Sequence, residues 1–291
     1  MSPAANPPAS RSANTVDRGS FEVAIYGCGP AVILIPGLTC GAEVWDETVA
    51  RLEGQYELHV LTLSGFAGRP PTPGPLLPQV RDDLARYIRE AGLSQPAIVG
   101  HSLGGFMALW LAATEPELVG AVVSVDGLPS LAGAMDLPPD QVEARAAAMR
   151  DQMASLDAEA FAAQTERSLA GLIVSSEDVA RVAETATLSD PASVGRAMYE
   201  LLVRDLRDRV AAIQSPVLLF GPGVGAPEFR AYTERVYRAQ VASIPDHELV
   251  FAEGSRHFVM LDARPLFAAR LDAFLATHLP AAVHRSPCAP R

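Results

Sequence analysis

Lysine is absent from this chain of 291 residues: all 23 of its Lys-plus-Arg positions are arginine. That excludes every mechanism built on a lysine amine, whether a Schiff base, a P-loop phosphate clamp or a Ser–Lys dyad. Positive charge is also in deficit. With 34 acidic residues the net charge is -11, and no field of that sign gathers phosphates, so nucleic acid and anionic membranes are poor partners. Cysteine is scarce. Cys28, Cys40 and Cys288 form an odd set with no C-x-x-C, which argues against a disulfide framework and against zinc; Cys28 and Cys40 could pair only if the fold placed them together. No His/Cys/Asp cluster has metal-ligand spacing, so neither a metal nor a cofactor is expected. A long apolar run is missing too. The longest charge-free stretch, 91–114, is interrupted by Ser94, Gln95, Pro96, His101 and Ser102 and reads as strand, turn and helix, so no stable membrane insertion is expected. Residues 1–20 are rich in Ser, Pro, Ala and Asn without an apolar h-region, the pattern of a disordered leader and not of a signal peptide. The chain therefore reads as cytoplasmic, with export through a signal removed upstream left open. Residues 280–291 read as a flexible tail.

The chain is rich in what a core needs: 49% of residues are hydrophobic and 20% charged. Short apolar runs predict strands at 21–26, 31–35, 57–63, 97–99, 121–125, 217–220 and 248–251. From residue 31 onward these runs are nearly continuous Val, Ile and Leu, as in parallel strands covered on both faces. Helical patterns at 44–52, 79–91, 103–113, 227–238 and 265–278 lie between them. The alternation predicts an α/β fold with a doubly wound, mostly parallel sheet. One stretch breaks the rhythm. Between about 128 and 213 there is no strand pattern, only four helical ones at 139–153, 157–171, 177–187 and 191–208, several opening on Pro or Asp. That is too long for a loop, so the expected organisation is a core of 21–127 and 214–279 carrying a helical cap of 128–213.

The segment Gly100-His101-Ser102-Leu103-Gly104 fits G-x-S-x-G, directly after a strand pattern and opening a helix. A nucleophile elbow needs this arrangement: small residues flank a serine held on a tight turn, at a helix N-terminus whose partial positive charge favours an oxyanion. The plain alternative is a βα turn with an N-capping serine.

With Pro36-Gly37-Leu38 after an early strand, the elbow at 100–105, and Arg256-His257-Phe258 before the last helix, the sequence resembles the α/β-hydrolase superfamily over roughly 21–278. More narrowly, it is similar to the capped esterase, lipase and C–C hydrolase branch. The resemblance implies Ser102 as nucleophile, His257 as base, and the backbone N–H groups of Leu38 and Leu103 as oxyanion donors. Among the other histidines, His247, His278, His59 and His101 sit at a wrong edge, late in a helix, inside a strand and in the elbow itself. The acid departs from the family pattern. The strand at 217–220 is followed by Gly221-Pro222-Gly223-Val224-Gly225-Ala226, with no carboxylate before Glu228. Asp126, at the end of the preceding strand, is the favoured replacement; Glu228 is the alternative, and Asp246 and Asp262 fit worse. Pro36 stands where the family usually has a histidine. Prolines 70, 71 and 73 keep the loop from Ser64 to Arg69 from opening a phosphate-binding helix.

Of the cap's apolar side chains, Met135, Met149, Met153, Leu156, Phe161, Leu169, Leu172, Met198, Tyr199 and Leu202, most should pack the cap and a few should line an apolar acyl or aryl pocket. Arg145, Arg150 and Arg167 are candidates for binding a carboxylate, though surface positions are the default. The expected activity is a serine hydrolase acting on a small-molecule carboxylic ester. The competing readings are C–C hydrolysis, acyl transfer or perhydrolysis on the same residues, or a ligand receptor without turnover. Haloalkane dehalogenase and epoxide hydrolase chemistry are disfavoured, because both need an Asp where Ser102 stands.

Overall fold

Eight strands in the order β1-β2-β4-β3-β5-β6-β7-β8 form one sheet in the computed structural model, which describes residues 14–279. The strands are β1 (Asn14–Asp17), β2 (Phe21–Gly27), β3 (Ala31–Ile35), β4 (Glu57–Leu63), β5 (Ala97–His101), β6 (Ala121–Val125), β7 (Val217–Gly223) and β8 (His247–Glu253). Pairings of β1 with β2 and of β2 with β4 are antiparallel, and every pairing from β4 to β8 is parallel. The near-continuous aliphatic strands are buried on both faces, as a covered parallel sheet requires.

Helices cover the two faces. In chain order they are α1 (Asp46–Leu52), α2 (Leu76–Glu90), α3 (Leu103–Thr114), α4 (Leu131–Ala134), α5 (Pro139–Ala154), α6 (Ala158–Leu172), α7 (Ser176–Ala186), α8 (Pro191–Val203), α9 (Pro227–Val241), α10 (Val259–Asp262) and α11 (Arg264–His278). One core layer joins α2 and α3 to the sheet, and the other joins α1 and α11 to its opposite face. Residues Leu103 to Ala112 of α3 are all buried, so this helix is apolar around its whole circumference. Between β6 and β7 lie α4 to α8, with no strand among the described residues. Asp157, Ser175 and Asp190 cap α6, α7 and α8 through their side chains, and proline opens α5 and α8.

The differences from the sequence-based expectations have physical causes. β1 falls inside the stretch read as a disordered leader. Its polar residues are mostly exposed, so no hydrophobic pattern marks it; pairing with β2 and a 2.7 Å ion pair from Arg69 to Asp17 hold it. Residues 1–13 and the tail at 280–291 lie outside the described residues. Helix α2 begins at Leu76 and not at 79, because the Glu200 carboxylate on α8 accepts from the N–H groups of Leu76 and Leu77 at 3.0 and 2.7 Å. That cap is contributed from 123 residues away. The helical pattern at 44–52 divides into a 3-10 turn, Ala42–Trp45, and α1. Cys40 is a free, buried thiol, so it is not paired with Cys28. Among the described residues no helix is long and apolar enough to cross a membrane.

Because α3 is enclosed on every side, Leu109→Ala should cost about 2–5 kcal/mol of unfolding free energy. Urea titration at neutral pH checks this; a loss below about 1 kcal/mol would mean the helix is not the core element described here.

Candidate active site

The C-terminal ends of the parallel strands carry the chemistry. β5 runs into Ser102, whose backbone has φ 53° and ψ -115°, before α3 starts at Leu103. A non-glycine residue in that region is strained by on the order of 1–3 kcal/mol and persists only where its surroundings over-determine it. Here they do. The Ser102 N–H donates to the Val125 carbonyl of β6 at 2.8 Å, and its carbonyl accepts from the Phe106 N–H at 3.0 Å. The two flanking glycines are dictated by close approach. A Cβ on Gly100 would sit 2.1 Å from the Gly104 carbonyl, and one on Gly104 would sit 2.2 Å from the Ile35 carbonyl oxygen.

Two loops from neighbouring strands meet this serine. After β3, the Gly37 carbonyl accepts from the Cys40 N–H at 3.2 Å, closing a turn through Leu38 and Thr39 with Thr39 at φ 68°. Leu38 and Ser102 line the same cavity. The N–H groups of Leu38 and Leu103 have no backbone acceptor among the described residues. After β6, Asp126 adopts φ 51° while its N–H donates to the Phe220 carbonyl of β7 at 2.9 Å. The Ser124 hydroxyl donates to the Gly127 carbonyl at 2.6 Å and holds that turn.

His257 follows β8. Its Nδ1–H donates to Asp126 Oδ2 at 2.6 Å, which leaves Nε2 as the nitrogen available for proton transfer. The pair is sheltered: the His257 side chain is 23% exposed and the Asp126 side chain 10%. Glu228, the alternative acid, is exposed in the first turn of α9, and among the described residues no hydrogen bond or ion pair joins it to His257. Asp262 has a different task. Its carboxylate accepts from the Arg256 N–H at 2.8 Å and the Val174 N–H at 2.9 Å, tying the His257 loop to the end of α6. The Arg256 guanidinium adds bonds to the Ala170 and Ile173 carbonyls at 2.9 and 2.8 Å.

Sequence reasoning missed two side chains. Tyr237 on α9 donates its hydroxyl to the other Asp126 oxygen, Oδ1. Burial, and the carboxylate beside it, push this phenol well above its ordinary pKa, so it stays a donor. Nothing local marks a helical tyrosine 111 residues from its partner. His101, which the sequence offers only as part of the elbow, is the second. The structure gives it another role: its Nε2–H donates to the His257 main-chain carbonyl at 3.2 Å, with the two rings 4.7 Å apart.

Ser102, Asp126 and His257 open into a cavity of about 580 Å³ between the sheet edge and the helices α4, α5, α6, α8 and α9. Of the cap side chains singled out in the sequence, Met153, Phe161, Leu169, Leu172 and Met198 line it. Met149, Tyr199 and Leu202 instead pack a small separate cluster, Leu156 packs on the main core, and Met135 is exposed. Arg145, Arg150 and Arg167 do not line the cavity; Arg150 pairs with Asp151 and lies over the Tyr199 ring.

Burial above all, and the nearby His257 imidazole, drive the His101 pKa well below 6.5. The unfolded chain then binds a proton near pH 6.5 that the folded chain refuses. Stability contributed by neutral His101 is complete above about pH 6.5 and falls as pH drops, by up to ~1.4 kcal/mol per unit. His101→Gln keeps an N–H donor without the titration and should flatten that acid slope by one proton. Urea stability from pH 5 to 7.5 reads it, with buried His59 contributing equally to both proteins. Parallel slopes would contradict the assignment.

Comparison with known proteins gives these residues a context. Residues 32–270 match the model of the alpha/beta hydrolase family. A pimeloyl-[acyl-carrier protein] methyl ester esterase from Cronobacter sakazakii is 31% identical over 65% of this chain and 73% of its own length. The esterase of the same name from Aeromonas hydrophila is 32% identical over 38% of this chain and 42% of its own length. The chain spans less than half the length of most of the first curated relatives it matches. The solved enol-lactonase from Burkholderia xenovorans superimposes with TM-score 0.74 and 16% identity, covering 90% of this chain and 100% of that one, a likeness of fold alone. The family match, which takes in the parallel strands from β3 to β8 and the helices between β6 and β7, means that this chain belongs to the alpha/beta hydrolase family.

Proposed function

We propose that this hydrolase cleaves carboxylic esters with an apolar acyl or aryl part, through an acyl-enzyme on Ser102. One observation carries the reading: His257 Nδ1 is 2.6 Å from Asp126 Oδ2, inside the cavity that Ser102 also lines. In this scheme Ser102 Oγ attacks the ester carbonyl while His257 Nε2 takes its proton and then delivers it to the departing alcohol. Asp126 fixes the imidazole tautomer and balances the imidazolium that forms. The N–H groups of Leu38 and Leu103 receive the oxyanion. Water activated by His257 releases the acid and frees Ser102. Esterase names among the relatives support the ester class. The mainly apolar lining, with Phe106, Phe161, Leu169 and Leu201, supports an apolar acyl or aryl group.

Assays on p-nitrophenyl esters of graded chain length test the proposal. Wild type should turn over with a burst. Ser102→Ala should lose on the order of 10⁴–10⁶ in kcat if the three residues act as a unit, and Asp126→Asn on the order of 10³–10⁴. Equal, slow release from wild type and Ser102→Ala would sink the serine mechanism, and full activity in Asp126→Asn would remove the acid.

Tyr237→Phe deletes a hydrogen bond to a charged group without moving the ring. It should lower kcat about tenfold with KM little changed. An unaltered kcat would show that the Asp126–His257 pair needs no support from α9.

A further inference from the structure

The cavity holds no positive charge to meet a substrate's negative one. Among the described residues no arginine lines it, lysine is absent from the chain, and its ionisable members are Asp126, the histidines and tyrosines. The arginines beside its walls in sequence lie outside the lining: Arg167 is exposed on α6, Arg230 pairs with Glu253 at 3.7 Å, Arg235 lies over the Tyr232 ring and Arg238 faces Glu234 at 3.8 Å. Arg256 is spent on the Ala170 and Ile173 carbonyls, Arg196 reaches Ser193 and the Thr72 carbonyl, and Arg204 lies over the Trp110 ring. What the walls offer is neutral. Thr165 is buried on the cavity face of α6, flanked by Gln164 and Ser168. The Ser168 hydroxyl already donates to the Gln164 carbonyl at 2.9 Å, so its oxygen is left as an acceptor.

Resting on the esterase reading, we infer that the physiological substrate is an ester uncharged throughout the part that enters the cavity. Its acyl chain is apolar and at most bears a neutral hydroxyl, carbonyl or amide group opposite Gln164, Thr165 and Ser168. A free carboxylate on that chain would lose its water, find no arginine or lysine, and share a mainly apolar enclosure with the side chain of Asp126. An uncompensated buried charge of this kind should cost roughly 100-fold or more in kcat/KM. Within a family of many hydrolases this separates two substrate classes: neutral esters and lactones on one side, half-esters of dicarboxylic acids on the other.

Three p-nitrophenyl substrates of one chain length test this: the octanoate, the methyl suberate diester and the hydrogen suberate half-ester. The first two should fall within about tenfold of each other in kcat/KM and the third roughly 100-fold below. Gln164→Arg, which puts a cation on the α6 wall, should raise the half-ester about tenfold or more relative to the octanoate. A half-ester cleaved as fast as the octanoate by wild type would overturn the inference whatever the variant does. Binding of octanamide and of suberic acid monoamide to Ser102→Ala, read by thermal shift, separates the pocket from the chemistry. Octanamide alone should stabilise the protein. Equal stabilisation by both ligands, or by neither, would overturn the neutral-pocket inference even if ester turnover were established, and selective octanamide binding would stand even if turnover failed.

Discussion

Helix α3 lies against the ends of β3 and β5 so closely that no methyl group fits between them, and the site geometry follows from that contact. The chain can pass from β5 into α3 only through a residue with positive φ, and Ser102 is that residue. The strain is sustained by the depth of the packing: ten consecutive residues of α3 are buried, and the Ser102 N–H is held by β6. A loosely packed helix would let the turn relax and the hydroxyl drift. The enclosed helix and the strained serine are therefore one feature viewed at two scales.

The carboxylate at the end of β6 is fixed with comparable care. One oxygen of Asp126 meets His257 and the other meets Tyr237, while the main chain around it is tied to β7 and to Ser124. The Gly-Pro-Gly stretch where β7 ends offers no carboxylate, so the pair is completed from the adjacent strand, and α9 contributes the phenol that steadies it. The helices between β6 and β7 are fastened to this edge by a few polar contacts. Asp262 and Arg256 join the His257 loop to the end of α6, and Ser189 accepts from the Ala67 N–H and donates to the Thr39 carbonyl. The wall of the cavity and the loop that carries the histidine are thus mechanically linked. A shift of α6 would be felt at His257.

The legibility of each element tracks how local its cause is. Strands β3, β4 and β6 were readable to the residue, because burial on both faces writes itself as a short run dominated by aliphatic residues, unbroken in β3 and interrupted by a few polar ones in β4 and β6. The elbow was readable because its steric demands fall on five consecutive positions. β1 was not, since backbone pairing at an exposed edge asks for no particular side chains. The start of α2 depends on Glu200, a cap supplied by α8, and the brace on Asp126 depends on Tyr237, and neither leaves a local trace. Asp126 itself lay between: its place after β6 made it the favoured acid over Glu228, while its contact with His257 spans 131 residues and leaves no local trace. Between β6 and β7, helical spacing identified the apolar side chains but not which of them turn toward the cavity, because that depends on how α5, α6 and α8 are rotated against the sheet.

The proposed mechanism forms a covalent bond at one oxygen atom, Ser102 Oγ. Rapid acid quench of the enzyme with p-nitrophenyl octanoate, followed by peptide mass spectrometry, looks for that bond directly. That mechanism predicts an added octanoyl group on Ser102, accumulating in the burst and absent from Ser102→Ala. Ester cleavage with no acyl group on Ser102, or with the group on another residue, would contradict it.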